Sequence, residues 1–390
     1  MKLRTLQSIP VKKLRGSRVL VRLDLNAPIV NGRLESADLW KLKSSVKTID
    51  YLQRYGARII IVSHLGRPDG KKDPQTSLKP ILKKFSQMIG QKIEVWTKHP
   101  GKLEVESRKL EEGQVAALEN IRWHKEEESC NLTFSKQLAK LADIYVDDAF
   151  GVIQRPHASN YGVTKYLPSY AGFLLEYEVK QLYNLIPRAD RPIVAIMGGS
   201  KISSKMVLIK KLLKQVDYVL FGGALANNLL QAKDIGIGKS LVDSDAKVLH
   251  QYLVSNKIRL PVDARVATSL DKPSKIVAIT KVASLDHIYD IGPDTVELYS
   301  QIIRQAKTVI WNGPLGLFED PRFGKSTREL IQILSDSKAK AYVGGGETVK
   351  AVLQSRLEDT LHFVSTGGGA MLSLLEDTDL PALQALVIKK

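Results

Sequence analysis

Two groups of residues in this 390-residue chain have types and spacing that could do chemistry. The first is the junction from Ile193 to Lys205, Ile-Val-Ala-Ile-Met-Gly-Gly-Ser-Lys-Ile-Ser-Ser-Lys. An apolar run of strand length enters Gly198 and Gly199, and the apolar spacing then turns helical at Ile202, Met206, Ile209, Leu212 and Leu213. A strand that feeds a helix through a glycine turn exposes backbone N–H groups at the positive end of the helix. Lys201 and Lys205, one helical turn apart, add two cations on one face, which is chemistry for phosphate. The pattern G-x-x-x-x-G-K-[ST] is absent, and an ordinary turn with two solvated lysines is the plain alternative. The second group is Asp24, Asn26, His64, Arg67, Arg122 and Arg155, each just past an apolar run. Arginine offers a planar fork to phosphate or carboxylate, so three arginines and a histidine on one rim suit a small anion.

The elements that must position these residues alternate in type. Arg18 to Leu25, Ala57 to Val62, Val115 to Leu118 and Ile144 to Val146 have the pattern of strands. Leu39 to Tyr55, Ile81 to Ile89 and Phe134 to Ala142 have helical spacing. This alternation predicts an α/β fold with doubly wound parallel sheets and helices on both faces. In such sheets ligands bind outside the carboxyl ends of the strands, where every polar cluster named above is placed. Tyr170 to Ile186 has helical spacing and is expected to connect two domains. Beyond it, strands are expected at Ile193 to Met197, Tyr218 to Phe221, Arg259 to Val262, Thr308 to Trp311, Ala341 to Val343 and Phe363 to Val364. Glycines follow several of them, at 222–223, 313, 344–346 and 367–369, and repeated glycine at strand ends lets backbone approach a flat or charged ligand. A nucleotide is the natural candidate, although G-x-G-x-x-G with a later acidic residue is missing.

Composition narrows the class. A hydrophobic content of 44% with 25% charged residues argues against disorder and membrane insertion. The start, Met-Lys-Leu-Arg-Thr-Leu, lacks the apolar core of a secretion signal, and the single Cys130 rules out an intrachain disulfide, so a cytoplasmic location is expected. A net charge of +17 favours anionic partners, either small phosphorylated substrates or nucleic acid.

The motifs, in number and order, give the chain a resemblance to phosphoglycerate kinase over essentially its whole length. They are Arg-Leu-Asp-Leu-Asn-Ala-Pro from Arg22 to Pro28, Ser-His-Leu-Gly-Arg-Pro from Ser63, Glu-Asn-Ile-Arg from Glu119, Asp-Ala-Phe-Gly from Asp148 and Arg-Pro-His-Ala from Arg155. Further on come Gly-Gly-Ser-Lys from Gly198, Gly-Lys-Ser from Gly238, Leu-Pro-Val-Asp from Leu260, Asp-Ile-Gly-Pro from Asp290, Trp-Asn-Gly-Pro from Trp311, Gly344 to Gly346, and Ser-Thr-Gly-Gly-Gly-Ala from Ser365. The resemblance implies an N-terminal 3-phosphoglycerate-binding domain over residues 1–170 and a hinge helix over 171–187. It also implies a C-terminal nucleotide-binding domain over 188–365 and a final segment, 366–390, returning to the first domain. The implied reaction moves a phosphoryl group reversibly from 1,3-bisphosphoglycerate to ADP, with Mg2+ as the partner of ATP and ADP, domain closure, and a monomer free of membrane and nucleic acid. By the same resemblance Asp24, Asn26, His64, Arg67, Arg122 and Arg155 hold 3-phosphoglycerate. Lys201, Lys205, Asn312, Glu319, Thr348 and the glycines 344, 345 and 346 hold nucleotide, with Glu319 on the ribose hydroxyls. Lys41, Lys201, Gly345 and Gly368 are its catalytic positions and Glu347 its metal ligand.

Three positions depart from the family pattern. Lys41 stands where an arginine is usual, so charge survives and the fork does not. Ser204 replaces an aspartate, which leaves Lys201 and Lys205 without a nearby counter-charge in the sequence. Glu347 replaces the usual metal-ligating aspartate; its extra methylene shifts the carboxylate by about 1.5 Å, and magnesium tolerates little departure from octahedral geometry. A rival class is therefore a homologue weakened or inactive in catalysis that binds anions or nucleic acid, and a kinase for another small carboxylate is a third. No stripe of basic residues interleaved with aromatics marks a nucleic-acid surface.

Overall fold

The computed structural model describes residues 1–27, 34–200, 205–243 and 255–388. These divide into two compact units, Met1–Tyr183 with Thr378–Lys390, and Asn184–Asp377.

In the first unit the strands are β1 (Arg18–Arg22), β2 (Arg58–Val62), β3 (Ile93–Trp96), β4 (Val115–Leu118), β5 (Ile144–Asp147) and β6 (Ser169–Ala171). They form one six-stranded sheet in the order β3-β4-β2-β1-β5-β6, parallel throughout. Strands buried on both faces must be apolar at odd and even positions alike. Val19, Val21, Ile59 and Ile61 accordingly enter one hydrophobic cluster, while Leu20, Ile60, Val62 and Tyr145 enter the cluster on the other face. The order places the carboxyl ends of β4, β2, β1 and β5 side by side, with β2 following β1 on one side and β5, reached from β4, lying on its other side. Such a switch point opens a crevice at the strand ends.

The second unit repeats this plan. Its strands are β7 (Ile193–Met197), β8 (Tyr218–Phe221), β9 (Ile258–Arg259), β10 (Asp263–Ala267), β11 (Lys275–Ala278), β12 (His287–Ile291), β13 (Thr308–Asn312), β14 (Lys340–Gly344) and β15 (Phe363–Val364). Six form a parallel sheet in the order β15-β14-β13-β7-β8-β9, with β7 and β13 buried along their whole length at the switch point. The remaining three form an antiparallel sheet, β11-β10-β12.

Several elements differ from expectation. The helix expected over 39–55 is two, Ser36–Ser44 and Val46–Arg54, because the Ser45 N–H turns back to the Leu42 carbonyl in a tighter bond. Tyr170 belongs to β6, and the helix beyond it covers only Phe173–Leu182. Its start is set from a distance: Asp148 Oδ1 accepts the N–H groups of Leu174 (2.8 Å) and Leu175 (3.1 Å), and a side chain on Gly172 would collide with that carboxylate. Asn184, at φ 52°, then breaks the chain direction before a short helix, Leu185–Arg188. The strand expected over 259–262 is confined to Ile258–Arg259. The final stretch pairs with the start of the chain, Leu3 facing Val387 in an antiparallel bridge. Among the described residues no helix is long and apolar enough to cross a membrane.

Candidate active site

In the first unit the rim is built by loops that hydrogen-bond to one another. Ser63, past β2, donates to the Leu23 carbonyl (2.8 Å) and accepts the Leu25 N–H (2.9 Å), which joins the ends of β1 and β2. The Asn26 side-chain oxygen accepts the Gly66 N–H at 3.0 Å, and Arg122 Nη1 donates to the Gly66 carbonyl at 2.8 Å. Asn120 bonds both backbone groups of Leu65 and caps its own turn at Arg122, so the β4 loop is fixed to the same segment. Asn26, His64 and Arg122 are thereby held as one assembly. Arg155 is half-buried, and its positive charge is felt at Arg122 and His157; Arg67 is exposed.

Lys41 reaches this rim from the helix Ser36–Ser44, its Nζ 2.7 Å from Asp24 Oδ2. Burial alone would raise the Asp24 pKa, but the cations Lys41, first, and Arg22 outweigh it and bring it down to about 2. The His64 pKa is lowered too, burial first and then the neighbouring Arg22 holding it well below its ordinary value, and for a histidine this leaves the ring neutral. Its Nδ1 lies 3.2 Å from Arg22 Nη2. Because a guanidinium only donates, Nδ1 is the acceptor and the ring hydrogen sits on Nε2. Arg22 itself is fully buried and also donates to Ser159 Oγ (3.0 Å), which in turn donates to Glu127 Oε1 (2.6 Å). Arg122 Nε faces Glu128 at 3.1 Å, while its buried Nη2 has no hydrogen-bond partner among the described residues. Its pKa is lowered by burial, against Glu128, yet an arginine remains charged. A network of buried charge around an unused guanidinium nitrogen is suited to a phosphate or carboxylate.

The second unit brings its glycine loops into backbone contact. A Cβ on Gly198 would run into the Pro314 carbonyl oxygen, and one on Gly368 would lie 2.5 Å from Gly345 Cα. Gly345 has φ 102°, a conformation that side chains rarely adopt. Asn312 Nδ2 donates to the Gly344 carbonyl (3.1 Å), and Thr348 Oγ1 accepts the Gly313 N–H (2.8 Å). Gly346 opens the helix Gly346–Ser355, whose positive end faces the loop. Lys205 Nζ donates to the Gly198 carbonyl at 2.5 Å, and burial lowers its pKa to about 8 despite the opposing charge of Glu347. That influence corrects the sequence expectation of a lysine without counter-charge: the carboxylate comes from the first turn of the helix Gly346–Ser355, distant in the chain. Lys201 and Ser204 lie outside the described residues. Beside these loops is a cleft of about 380 Å³ lined by Gly199, Gly223, Leu270, Tyr289, Leu317, Glu319 and Glu347, among others. Glycine backbone, apolar walls and two carboxylates at the edge suit a sugar-bearing base with phosphates. A larger open groove of about 850 Å³, lined by Arg4, Lys165 and Gln384, shares no residue with either cluster.

The phosphoglycerate kinase family model matches residues 9–378. The chain belongs to the phosphoglycerate kinase family. It is 40% identical over 388 residues to the phosphoglycerate kinase of Leptospira biflexa, covering 97% of this chain and 98% of that one. With the enzyme of Desulforudis audaxviator it shares 41% over 379 residues, 95% and 96% of the two chains. Among solved structures, the phosphoglycerate kinase of Coxiella burnetii superposes with a TM-score of 0.84 at 35% identity, and that of Pyrococcus horikoshii with 0.86 at 29%, each covering 98% of both chains. The activity of the family, phosphoryl transfer in glycolysis and gluconeogenesis, comes with this membership.

Sequence reasoning left out the roles of Arg22, Glu127 and Ser159 behind the rim and of Tyr289 in the cleft. One signal was available: Arg22 is a charged residue closing an apolar strand, a place where burial demands a partner.

Proposed function

We propose that the first unit binds 3-phosphoglycerate on the rim of Asp24, Asn26, His64, Arg67, Arg122 and Arg155, and that the second binds ADP or ATP at the glycine loops. The phosphoryl group passes between the substrate carboxylate and the terminal oxygen of ADP. The observation that carries this reading is the Lys41–Asp24 pair at 2.7 Å, which fixes a cation beside the rim without consuming Arg122 Nη2. Phosphoryl transfer asks little covalent work of a protein; it needs in-line positioning and positive charge around the equatorial oxygens. Lys41 and, by family resemblance, Lys201 supply that charge; Lys205 and the N–H groups at the start of the helix Gly346–Ser355 hold nucleotide phosphate. Asn312 and Thr348 shape the loops, and Glu319 at the cleft edge accepts from the ribose hydroxyls.

Glu347 is an exposed carboxylate at the cleft, a donor set that fits a magnesium ion taking its other ligands from phosphate and water. Magnesium bound there supplies positive charge to the nucleotide phosphates. Glu347→Asp restores the shorter carboxylate usual at this position in the family, and is expected to lower severalfold the magnesium concentration for half-maximal rate; an unchanged or raised requirement contradicts this.

The two-site layout is tested by calorimetric titration of each ligand alone. Arg67→Ala and Arg122→Ala are expected to weaken 3-phosphoglycerate binding by ~10- to 100-fold, the worth of a charged hydrogen bond, with ADP affinity intact. Equal loss of both affinities would overturn the assignment of the sites to separate units.

A further inference from the structure

Asp290 is the penultimate residue of β12, 1% exposed, and contributes no surface to the cleft whose wall His287, Ile288 and Tyr289 form. Its carboxyl group faces the loop that forms the next part of that wall. Oδ1 accepts the Ile291 N–H at 2.9 Å and the Ser326 hydroxyl, and Oδ2 accepts the Ser326 N–H at 3.2 Å. The helix Lys325–Asp336 receives no side-chain cap from its own Gly324, so Asp290 satisfies one of its leading N–H groups from another element. Gly316 lies directly against the same carboxyl: a Cβ there would run into Asp290 Oδ1 and the Phe323 carbonyl. Around this contact the loop is tied twice more, Leu317 N–H to the Tyr289 carbonyl (2.8 Å) and Leu315 N–H to Thr327 Oγ1 (3.1 Å). The opposite side of the same loop presents Pro314, Gly316, Leu317 and Glu319 to the cleft. Across the sheet Asp290 is in register with Arg265, and burial raises its pKa to about 7 against the pull of Ser326, Ile291 and Arg265.

We infer that Asp290, joined to Ser326, is a positioning residue for nucleotide binding: its carboxyl group sets where Gly316 to Glu319 stand in the cleft wall. The inference rests on the reading of that cleft as the nucleotide site. A buried acid kept against a loop rather than an apolar side chain specifies one loop geometry through its hydrogen bonds, where apolar packing would leave several. A residue that only stabilised the second unit would leave ADP affinity unchanged in variants that still fold; a positioning residue raises the dissociation constant for ADP although the unit remains folded.

The test is calorimetric titration of ADP and of 3-phosphoglycerate into the full chain, its Ser326→Ala and Asp290→Asn variants and the double variant, with thermal melting to establish folding. The dissociation constant for ADP is expected to rise about three- to tenfold in each single variant, the worth of one hydrogen bond, with 3-phosphoglycerate affinity unchanged. The double variant is expected to lose less than the sum of the two, because the groups act as one contact. Unchanged ADP affinity in the folded variants, or an equal loss for both ligands, overturns the inference while leaving the site in place. Failure of the unaltered chain to bind ADP overturns the inference and the cleft assignment together. Should Asp290→Asn fail to fold, Ser326→Ala, which removes one hydroxyl, decides alone.

Discussion

Lys41→Ala is expected to lower turnover at saturating substrates by ~10² to 10³, the usual cost of removing a preorganised donor from a developing anion. Its effect on substrate affinity should be smaller, since the rim keeps its arginines. The expectation rests on geometry: Lys41 is not a solvated helix lysine but a half-buried one, held 2.7 Å from Asp24 Oδ2 with Asp24 kept ionised by its cationic neighbours. Lys41→Arg should retain activity and, where the guanidinium reaches two oxygens at once, raise it. Steady-state rates of the three proteins, each checked for an intact melting transition, measure this. Wild-type turnover in a folded Lys41→Ala variant would make Lys41 a bystander whose ion pair serves only Asp24.

Lys205→Ala is expected to weaken ADP binding by ~10- to 100-fold, since a hydrogen bond to a charged group contributes about 1.5–3 kcal/mol. A pH dependence accompanies it. The Lys205 pKa of about 8 in the free chain arises because burial disfavours the ammonium, and a bound phosphate would favour it again. The bound state therefore holds the proton more tightly than the free state. Affinity is full below the free-chain value and falls as pH rises through about 8, by up to about tenfold per pH unit until the bound group itself titrates. Titrations over roughly two pH units above neutrality should show this slope in the unaltered chain and lose it in Lys205→Ala. A flat profile in both would remove Lys205 from the phosphate site.

The sheets and the rim were legible for the same physical reason. Strands such as β1, β2 and β7 are buried on both faces, so their apolar runs stand out, and the polar residues that end those runs must lie at the strand ends where ligands bind. What could not be read was whatever depends on partners distant in the chain. Arg22 meets His64 across 42 residues and Ser159 across 137, and no local pattern announces either pairing. The start of the helix Phe173–Leu182 is dictated by Asp148, and the charge facing Lys205 comes from Glu347 in the first turn of a helix distant in the chain. The antiparallel sheet was harder to read: β10 carries Asp263 and Arg265 among its apolar residues, and the short apolar run of β11 is largely exposed rather than buried. β3 has Glu94 exposed among its apolar residues, and β6 is only three residues long and follows Pro168, so neither stands out as an apolar run.

The central claim, a working phosphoryl transfer between a rim and a cleft on two units, is tested most directly by a coupled assay of ADP formation. It is run with ATP, magnesium and 3-phosphoglycerate together and with each omitted in turn, beside nucleic-acid binding measured across salt concentrations. ADP formation is expected to require all three components, and nucleic-acid binding to be no stronger than the net charge of +17 explains, fading as salt rises. No turnover, together with tight and salt-resistant binding of a defined nucleic acid, would contradict it.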